Sequence, residues 1–259
     1  MSKTKVSFLA AGLALLLLGG IGIAFGQGLQ PEGDHYLSYL VNKSIDPISV
    51  DLNDQFIDVT QFQLLSIERL LNPVRKFHAG QVFDPARKDL HYLAYRLQSD
   101  PAFRPVPVHI QNQFENRDIL ALNPRYLLTP TGKKKIGAIG VLIDILPIPP
   151  EAQAKLRAKL APPVPQNANH YLCYDVEPYV FDPTAVGLKD QFQERPFEVV
   201  RPLYLCNPAA KTHRHADGKV SVSPIVNPEQ HLMCYEVIPH NKVNRTVLAN
   251  DQFGLKFLS

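Results

Sequence analysis

Apolar and polar residues alternate along several short stretches of this chain, and residues 170–176 show the pattern most clearly. A period of two places successive side chains on opposite faces of a β-strand. One face takes His170, Leu172, Tyr174 and Val176, and the other takes Tyr171, Cys173 and Asp175. The stretch is therefore predicted to be a half-buried strand whose leucine-bearing face points to a core.

The same stretch recurs, together with two further segments, and the three segments define a repeat unit. The His-Tyr segment has the pattern His-Tyr-Leu-x-Tyr, or His-Leu-Met-Cys-Tyr in the last copy, and it begins at residues 35, 91, 170 and 231. The Gln-Phe segment ends in Gln-Phe after Asp or Asn, and it occupies residues 50–56, 108–114, 186–192 and 247–253. The Pro-Lys segment contains Asn-Pro or Thr-Pro followed by Lys, and it occupies residues 70–76, 127–133 and 205–211. The histidine precedes the glutamine by 20 to 22 residues in all four units, which indicates internal duplication.

Each of the three segments is predicted to be a strand. In the Gln-Phe segment, the Asp or Asn is expected to bond its own backbone and turn the chain, so that the phenylalanine returns to the core. The Pro-Lys segment is expected to end its strand at the proline, because proline cannot donate a hydrogen bond to a strand ladder. One unit of three strands cannot bury both of its faces, whereas two units together can form a barrel or sandwich.

The predicted fold class is therefore all-β, with two tandem pseudo-symmetric β-barrel or β-sandwich domains, each built from two three-strand units. The first domain covers residues 33–146 and is a diverged copy without cysteine, and the second covers residues 169–259. Residues 147–168 form a proline-rich linker with a short helix over residues 151–160, and residues 139–146 are expected to add a strand to the first domain.

The first 26 residues have the composition of a signal peptide. Lys3 and Lys5 precede an uncharged apolar run, and Ala24 and Gly26 suit a cleavage site before Gln27. Cleavage would place the protein in the periplasm or outside the cell, with no membrane span remaining. The alternative is an uncleaved N-terminal helix that anchors the chain.

The three cysteines can be compared through the repeat. Cys173 and Cys206 occupy positions that hold Ser38 and Leu71 in unit one, and Ala94 and Leu128 in unit two, so both positions carry cysteine or neither does. This behaviour predicts a Cys173–Cys206 disulfide and leaves Cys234 as an unpaired thiol. The alternatives are a Cys173–Cys234 bridge and three free thiols.

The order of these motifs over residues 169–254 resembles a family of uncharacterised secreted bacterial proteins, catalogued as a domain of unknown function. The resemblance implies export and duplication, and it brings no activity, cofactor or catalytic residue. In that family the last unit usually closes with its own Leu-Cys-x-Pro segment, whereas this sequence stops at "FGLKFLS". We therefore expect an open sheet edge that accepts a protein or peptide strand.

Composition narrows the function further. The net charge of +3 falls to +1 without the two lysines of residues 1–26. The one basic cluster is "GKKK" at 132–135, which is expected to be a solvated turn. Nucleic acid is therefore not expected as a partner. His213 and His215, near Asp217, have a spacing suited to a metal, but their polar loop favours a solvated turn. The tyrosine series that begins with Tyr36 offers either a contact surface or, as we favour, packing between strands.

No catalytic residue, cofactor or metal site is predicted. The sequence favours an exported, non-enzymatic binding or structural module of the bacterial cell envelope, with its oligomeric state open. One alternative is an exported hydrolase or metal-dependent enzyme with a site between the domains. The other is an accessory subunit of an envelope complex.

Overall fold

A computed structural model of the protein describes residues 34–259 apart from 101, 136–147 and 241. The described residues are all-β, as the alternation predicts, with thirteen strands and one short helix. The strands are β1 (His35–Asn53), β2 (Thr60–His78), β3 (Gln81–Phe83), β4 (His91–Leu97), β5 (Val106–Gln111), β6 (Asn116–Lys135), β7 (His170–Val176), β8 (Thr184–Lys189), β9 (Glu194–Arg214), β10 (Val220–Ser223), β11 (Leu232–Ile238), β12 (Val247–Asp251) and β13 (Gly254–Leu258). The helix, α1 (Pro150–Leu160), lies where the sequence predicts it.

Three long strands, β2, β6 and β9, contain the Pro-Lys segments of units one, two and three and organise the sheet. Each pairs antiparallel with the His-Tyr segment of its own unit and, along its other edge, with the His-Tyr segment of the following unit. The resulting order is β1–β2–β4–β6–β7–β9–β11. Because every long strand has two edges to satisfy, consecutive units interlock instead of pairing off.

In units one, two and three the Gln-Phe segment folds back on the long strand that follows it in the chain, and in unit four it folds back on the short strand β13. It also reaches a more distant unit: β8 pairs with the end of β2, β12 with the end of β6, and β1 with the end of β9. In each case the partner belongs to the unit two positions away, counted cyclically. The four units therefore have an approximate fourfold arrangement.

The division into two tandem domains is not confirmed. Residues Asp34–Ser259 form one compact unit, in which strands from 33–146 and 169–259 pair directly through β1–β9, β2–β8, β6–β7 and β6–β12. The spacing of the repeats was the basis for the predicted division, and spacing does not specify which edges pair.

The prolines of the Pro-Lys segments do not end their strands, and this prediction is wrong. Pro73 lies inside β2, between the residues that pair with β4, which end at Leu71, and those that pair with β8, which begin at Arg75. Pro130 and Pro208 lie at the corresponding changes of partner in β6 and β9. Along the edge where the partner changes, no strand is paired with the proline, so the missing backbone N–H removes no ladder hydrogen bond on that side; the other edge stays in register with the His-Tyr segment of the same unit.

Both faces of the His-Tyr segment are buried, and not only the leucine-bearing face. In β4 and β7 every residue is buried except the one that follows the second tyrosine. The second face carries the tyrosine series, in which Tyr36, Tyr92 and Tyr171 stack edge to face with centroids 5.3 and 5.6 Å apart. The tyrosines therefore pack between strands, which is the favoured of the two interpretations.

Three further expectations concern residues at or near the gaps in the described chain. Residues 1–26 and the expected strand at 139–146 lie outside the described residues. The basic cluster at 132–135 belongs to β6 and is not a turn, and the side chain of Lys133 is largely enclosed.

Candidate strand-binding site

One strand position of the fourfold arrangement is open among the described residues. β4 and β7 each have two neighbours, but within the described part of the chain residues 36–40 of β1 pair only with β2, and β11 pairs only with β9. In the other units a long strand occupies the corresponding place. The open position is therefore the place of a fourth long strand, between β11 and β1.

Exposure of the two flanking strands agrees with this interpretation. No residue of β11 is buried, whereas nearly all residues of the equivalent strands β4 and β7 are. On β1, Leu40 is 62% exposed, whereas its counterpart Arg96 in β4 is half-buried. Leu258, near the end of β13, lines a cavity with Tyr39, Leu40 and Val41, so β13 leads toward the open edge of β1. Two strand edges that have no backbone partner within the described ranges therefore flank the same position.

The Asp of the Gln-Phe segment holds a recurring polar cluster that connects distant units. Its Oδ1 accepts the backbone N–H of the following phenylalanine, which confirms the predicted turn; the bonds are Asp54–Phe56 2.8 Å, Asp190–Phe192 2.8 Å and Asp251–Phe253 2.9 Å. Its Oδ2 accepts a tyrosine hydroxyl from the His-Tyr segment and a side-chain donor from the Pro-Lys segment of the unit two positions away. The donors are Tyr174 (2.9 Å) and Asn207 (3.2 Å) to Asp54, Tyr39 (2.8 Å) and Asn72 (2.8 Å) to Asp190, and Tyr95 (2.6 Å) and Thr129 (2.8 Å) to Asp251. One carboxylate thus fixes a turn and joins two units.

The fourth cluster has only two of its three members. Asn112 takes the place of the Asp, accepts the N–H of Phe114 (2.8 Å) and donates from its Nδ2 to the Tyr235 hydroxyl (2.7 Å). Tyr235 in turn donates to Glu115 (2.6 Å). The donor that Asn72, Thr129 and Asn207 supply elsewhere belongs to the Pro-Lys segment, and this is the segment whose place is open.

In units one, two and three the histidine of the His-Tyr segment contacts the glutamine of the next unit, so both recurring residues contribute to contacts between units. The paired ring nitrogen and amide are His35–Gln113 (3.3 Å), His91–Gln191 (3.0 Å) and His170–Gln252 (2.8 Å). The lysine of the Pro-Lys segment lies over the phenylalanine that follows this glutamine. These pairs are Lys76–Phe114 (5.6 Å), Lys133–Phe192 (4.3 Å) and Lys211–Phe253 (5.2 Å) from Nζ to ring centroid.

Burial sets the ionisation of these groups. Burial, and then the neighbouring Lys133, lowers the pKa of His91 to about 4, and burial together with Lys211 lowers the pKa of His170 to about 3. Burial also lowers the pKa of Lys133 to about 7 and that of Lys211 to about 8. The histidines are neutral at pH 7, so their ring nitrogens can accept hydrogen bonds from the glutamine amides.

In the fourth unit, His231 and the pair Gln55–Phe56 are the equivalents of these groups. His231 bonds the side chain of Asn207 (3.1 Å), and Phe56 packs edge to face on Tyr174 (5.1 Å). In the other units a lysine of the Pro-Lys segment lies over this phenylalanine, and here that lysine would belong to a segment in the open position.

The three cysteines line one face of adjacent strands. Cys173 in β7 is bonded to Cys206, its direct partner across the β7–β9 ladder, so the predicted disulfide is present. Cys234 in β11 is free, and its Sγ lies 3.8 Å from that of Cys206. Burial raises the pKa of the Cys234 thiol to about 11, which keeps it protonated and slow to react at neutral pH.

The remaining candidates from the sequence have local structural partners. His213 bonds the Ser49 carbonyl (3.0 Å), and His215 bonds the Ser221 hydroxyl (2.8 Å). Within the described ranges, no three His, Cys, Asp or Glu side chains are grouped so that they could hold a metal ion. Those ranges also contain no helix with the length and apolar character needed to cross a membrane.

Sequence reasoning overlooked the lysines of the Pro-Lys segments. Lys76, Lys133 and Lys211 each follow the proline of their segment by three residues, and this recurrence was the available signal. The sequence also gave no indication that Asp and Tyr from different units form one cluster.

Units three and four are similar to a known repeat family. Residues 150–259 match a family model described as "Repeat of unknown function (DUF7450)". The match covers these two units and the helix before them. No curated protein and no solved structure shows a significant match to the chain.

Proposed function

We propose that this protein is an exported, non-enzymatic binding module that accepts an extended strand from another protein between β1 and β11. The observation that carries the proposal is the open position itself, which two unpaired edges face. Pairing an added strand with an exposed sheet edge is an established mode of peptide recognition, in which backbone bonds supply affinity and side-chain pockets supply specificity.

The polar clusters support a binding or structural role over catalysis. Their ionisable groups are bonded to one another across units, as Asp251 is to Tyr95 and Thr129, and they connect strands instead of converging on a cleft. The disulfide between Cys173 and Cys206 supports export, since such bonds persist mainly in oxidising compartments. The composition of residues 1–26 supports the same route.

A displayed library of random twelve-residue peptides, selected against the purified protein, tests the proposal. We expect the selected peptides to slow hydrogen exchange of backbone amides in residues 36–40 and in β11. Amides of β4 and β7, which already have two neighbours, serve as the internal control and should not change.

Peptides with single N-methyl groups sharpen the result. A strand inserted between two edges uses its backbone groups on both sides, so methylation at either of two adjacent residues should weaken binding. A strand added to one edge tolerates methylation at alternate residues. Failure to select any peptide, or protection confined to other strands, would refute strand acceptance, and stoichiometric metal in the purified protein would favour the enzyme alternative.

A further inference from the structure

The register of the three complete units specifies what the open position should receive. Position four of the His-Tyr segment faces the second residue of the Pro-Lys segment: Ser38 pairs with Leu71, Ala94 with Leu128, and Cys173 with Cys206. Position three of the His-Tyr segment faces Asn72, Thr129 or Asn207, and position two faces the proline. By the same register, a strand beside β11 places one residue opposite Cys234, the next opposite Met233 and the next opposite Leu232.

From this register we propose that the open position binds a strand with the sequence Cys-Asn-Pro-x-x-Lys, that is, an additional Pro-Lys segment of the same repeat. The inference rests on the proposed strand acceptance and names the occupant. The three Pro-Lys segments within the described residues are each already paired in place, so the occupant is an additional segment.

Each named residue of the occupant has a receptor group on the protein. The cysteine lies opposite Cys234, as Cys206 lies opposite Cys173. The asparagine lies beside Asn112 and Tyr235, in the place that Asn72 has beside Asp190 and Tyr39. Because Asn112 presents an N–H where Asp190 presents a carboxylate oxygen, the side-chain oxygen of the asparagine accepts the second amide hydrogen of Asn112. The lysine lies over an aromatic ring beside a histidine in every complete unit, and in the fourth unit these are Phe56 and His231.

The part of the occupant that follows its proline also has a partner strand. Beyond the proline the occupant would run alongside β5, as the ends of β2, β6 and β9 run alongside the Gln-Phe strands two units away. The outer edge of β5 is unpaired among the described residues, since β5 pairs only with β6. Thus three edges, on β11, β1 and β5, match the three contacts that each long strand makes elsewhere.

A covalent bond would follow binding when the occupant carries an activated cysteine. Because the pKa of the Cys234 thiol is raised, the incubation is carried out at alkaline pH, where its thiolate attacks the peptide sulfur of a peptide–glutathione disulfide. A protein–peptide disulfide forms, and glutathione leaves as the thiol. The number of disulfides is conserved, and the proton of Cys234 passes to solvent. No oxidant other than the glutathione disulfide is required.

A peptide with the sequence of residues 201–214, "RPLYLCNPAAKTHR", tests the inference, measured by calorimetry with its cysteine replaced by serine. We expect binding in the micromolar range. Replacing its asparagine or its lysine by alanine should weaken binding about tenfold each, as loss of one buried hydrogen bond or one stacked cation does. A scrambled peptide of the same composition is the matched control.

A double-mutant cycle assigns the asparagine contact. Tyr235→Phe in the protein should weaken binding of the asparagine peptide several-fold and leave the alanine peptide unchanged, because the two groups belong to one cluster. Tyr95→Phe, at the equivalent position of a complete cluster, should weaken both peptides equally or neither. Equal effects of Tyr235→Phe on the two peptides would overturn the assignment.

The intact mass of the protein after incubation with the glutathione-activated peptide tests whether the peptide cysteine lies opposite Cys234. One added peptide, attached to Cys234 and absent in Cys234→Ser, is expected, while noncovalent binding to Cys234→Ser should persist. Attachment at Cys173 or Cys206, or affinity no better than the scrambled peptide, would overturn the sequence inference. If library peptides protect β1 and β11 while this peptide fails, the strand-acceptor function stands and only the occupant is wrong; if neither binds, both fail.

Discussion

The tyrosine that ends the His-Tyr segment is expected to stabilise the fold through its hydroxyl, and Tyr95→Phe measures this contribution. The Tyr95 side chain is fully buried, and its hydroxyl donates to Asp251 at 2.6 Å. Asp251 is also buried, and it keeps bonds from Thr129 and Lys256 when the hydroxyl is removed. Phenylalanine preserves the ring, so the change removes little more than one charge-assisted hydrogen bond.

The magnitude follows from that geometry. A hydrogen bond to a charged group contributes about 1.5–3 kcal/mol, and the two remaining donors moderate the loss, so Tyr95→Phe should lower the free energy of unfolding by about 2 kcal/mol. For a chain of this size the midpoint of thermal unfolding should fall by roughly 4–8 °C. Urea denaturation followed by circular dichroism gives the free energy.

Tyr235→Phe is the matched control, because it changes the equivalent tyrosine of the incomplete unit. Tyr235 is only half-buried; its hydroxyl accepts a hydrogen bond from the neutral Asn112 and donates one to Glu115, which is itself half-buried, so solvent can replace much of what the variant loses. We expect a loss below about 1 kcal/mol. Equal losses in the two variants, or a loss below about 0.5 kcal/mol for Tyr95→Phe, would refute the view that the complete carboxylate clusters hold distant units together.

Three further results are expected. A Cβ at Gly132 would lie 2.0 Å from the Pro163 carbonyl oxygen, so Gly132→Ala should displace the segment after α1 and lower the thermal midpoint by several degrees; an unchanged midpoint would contradict this close approach. The pKa of His91 is about 4 in the folded state and about 6.5 in the unfolded state, so the unfolded state binds more protons between these values. The free energy of unfolding should therefore fall by roughly 3 kcal/mol for this residue as pH drops from 6.5 to 4. A His91→Gln variant should show a flatter pH profile of this free energy in urea titrations. Reduction of the disulfide, which spans 33 residues, should cost about 3 kcal/mol, whereas Cys234→Ser should leave both the disulfide and the midpoint nearly unchanged; a large loss in Cys234→Ser would indicate a structural role for that thiol.

Much of the local structure was predictable because it depends on neighbours along the chain. The alternation at 170–176 specifies a strand, and Asp190 or Asn112 before Gln-Phe specifies a side-chain-bonded turn. The cysteine pairing followed from comparing equivalent positions, since two cysteines that face each other in one unit are replaced together in the others.

The polar clusters were not predictable in the same way. Asp251 and Tyr95 are 156 residues apart, and no feature of one repeat indicates that its Asp belongs with a tyrosine two units away. The partial burial of Lys133 was also missed, because a basic run normally indicates solvent, whereas the tertiary structure places its Nζ over the Phe192 ring and beside Asn72.

The sequence by itself determined the strand pattern, the turns and the number of repeat units, because hydrophobic period and turn chemistry act over a few residues. The tertiary structure decided which edges meet, that the described units join in one compact body, and that Pro73 can lie inside a strand. The physical reason is that backbone hydrogen bonding between strands is nearly independent of side-chain identity, so four similar units offer many possible pairings. Burial of apolar side chains and hydrogen bonding of the recurring Asp carboxylates select one of these pairings, and the same selection defines the open position between β11 and β1.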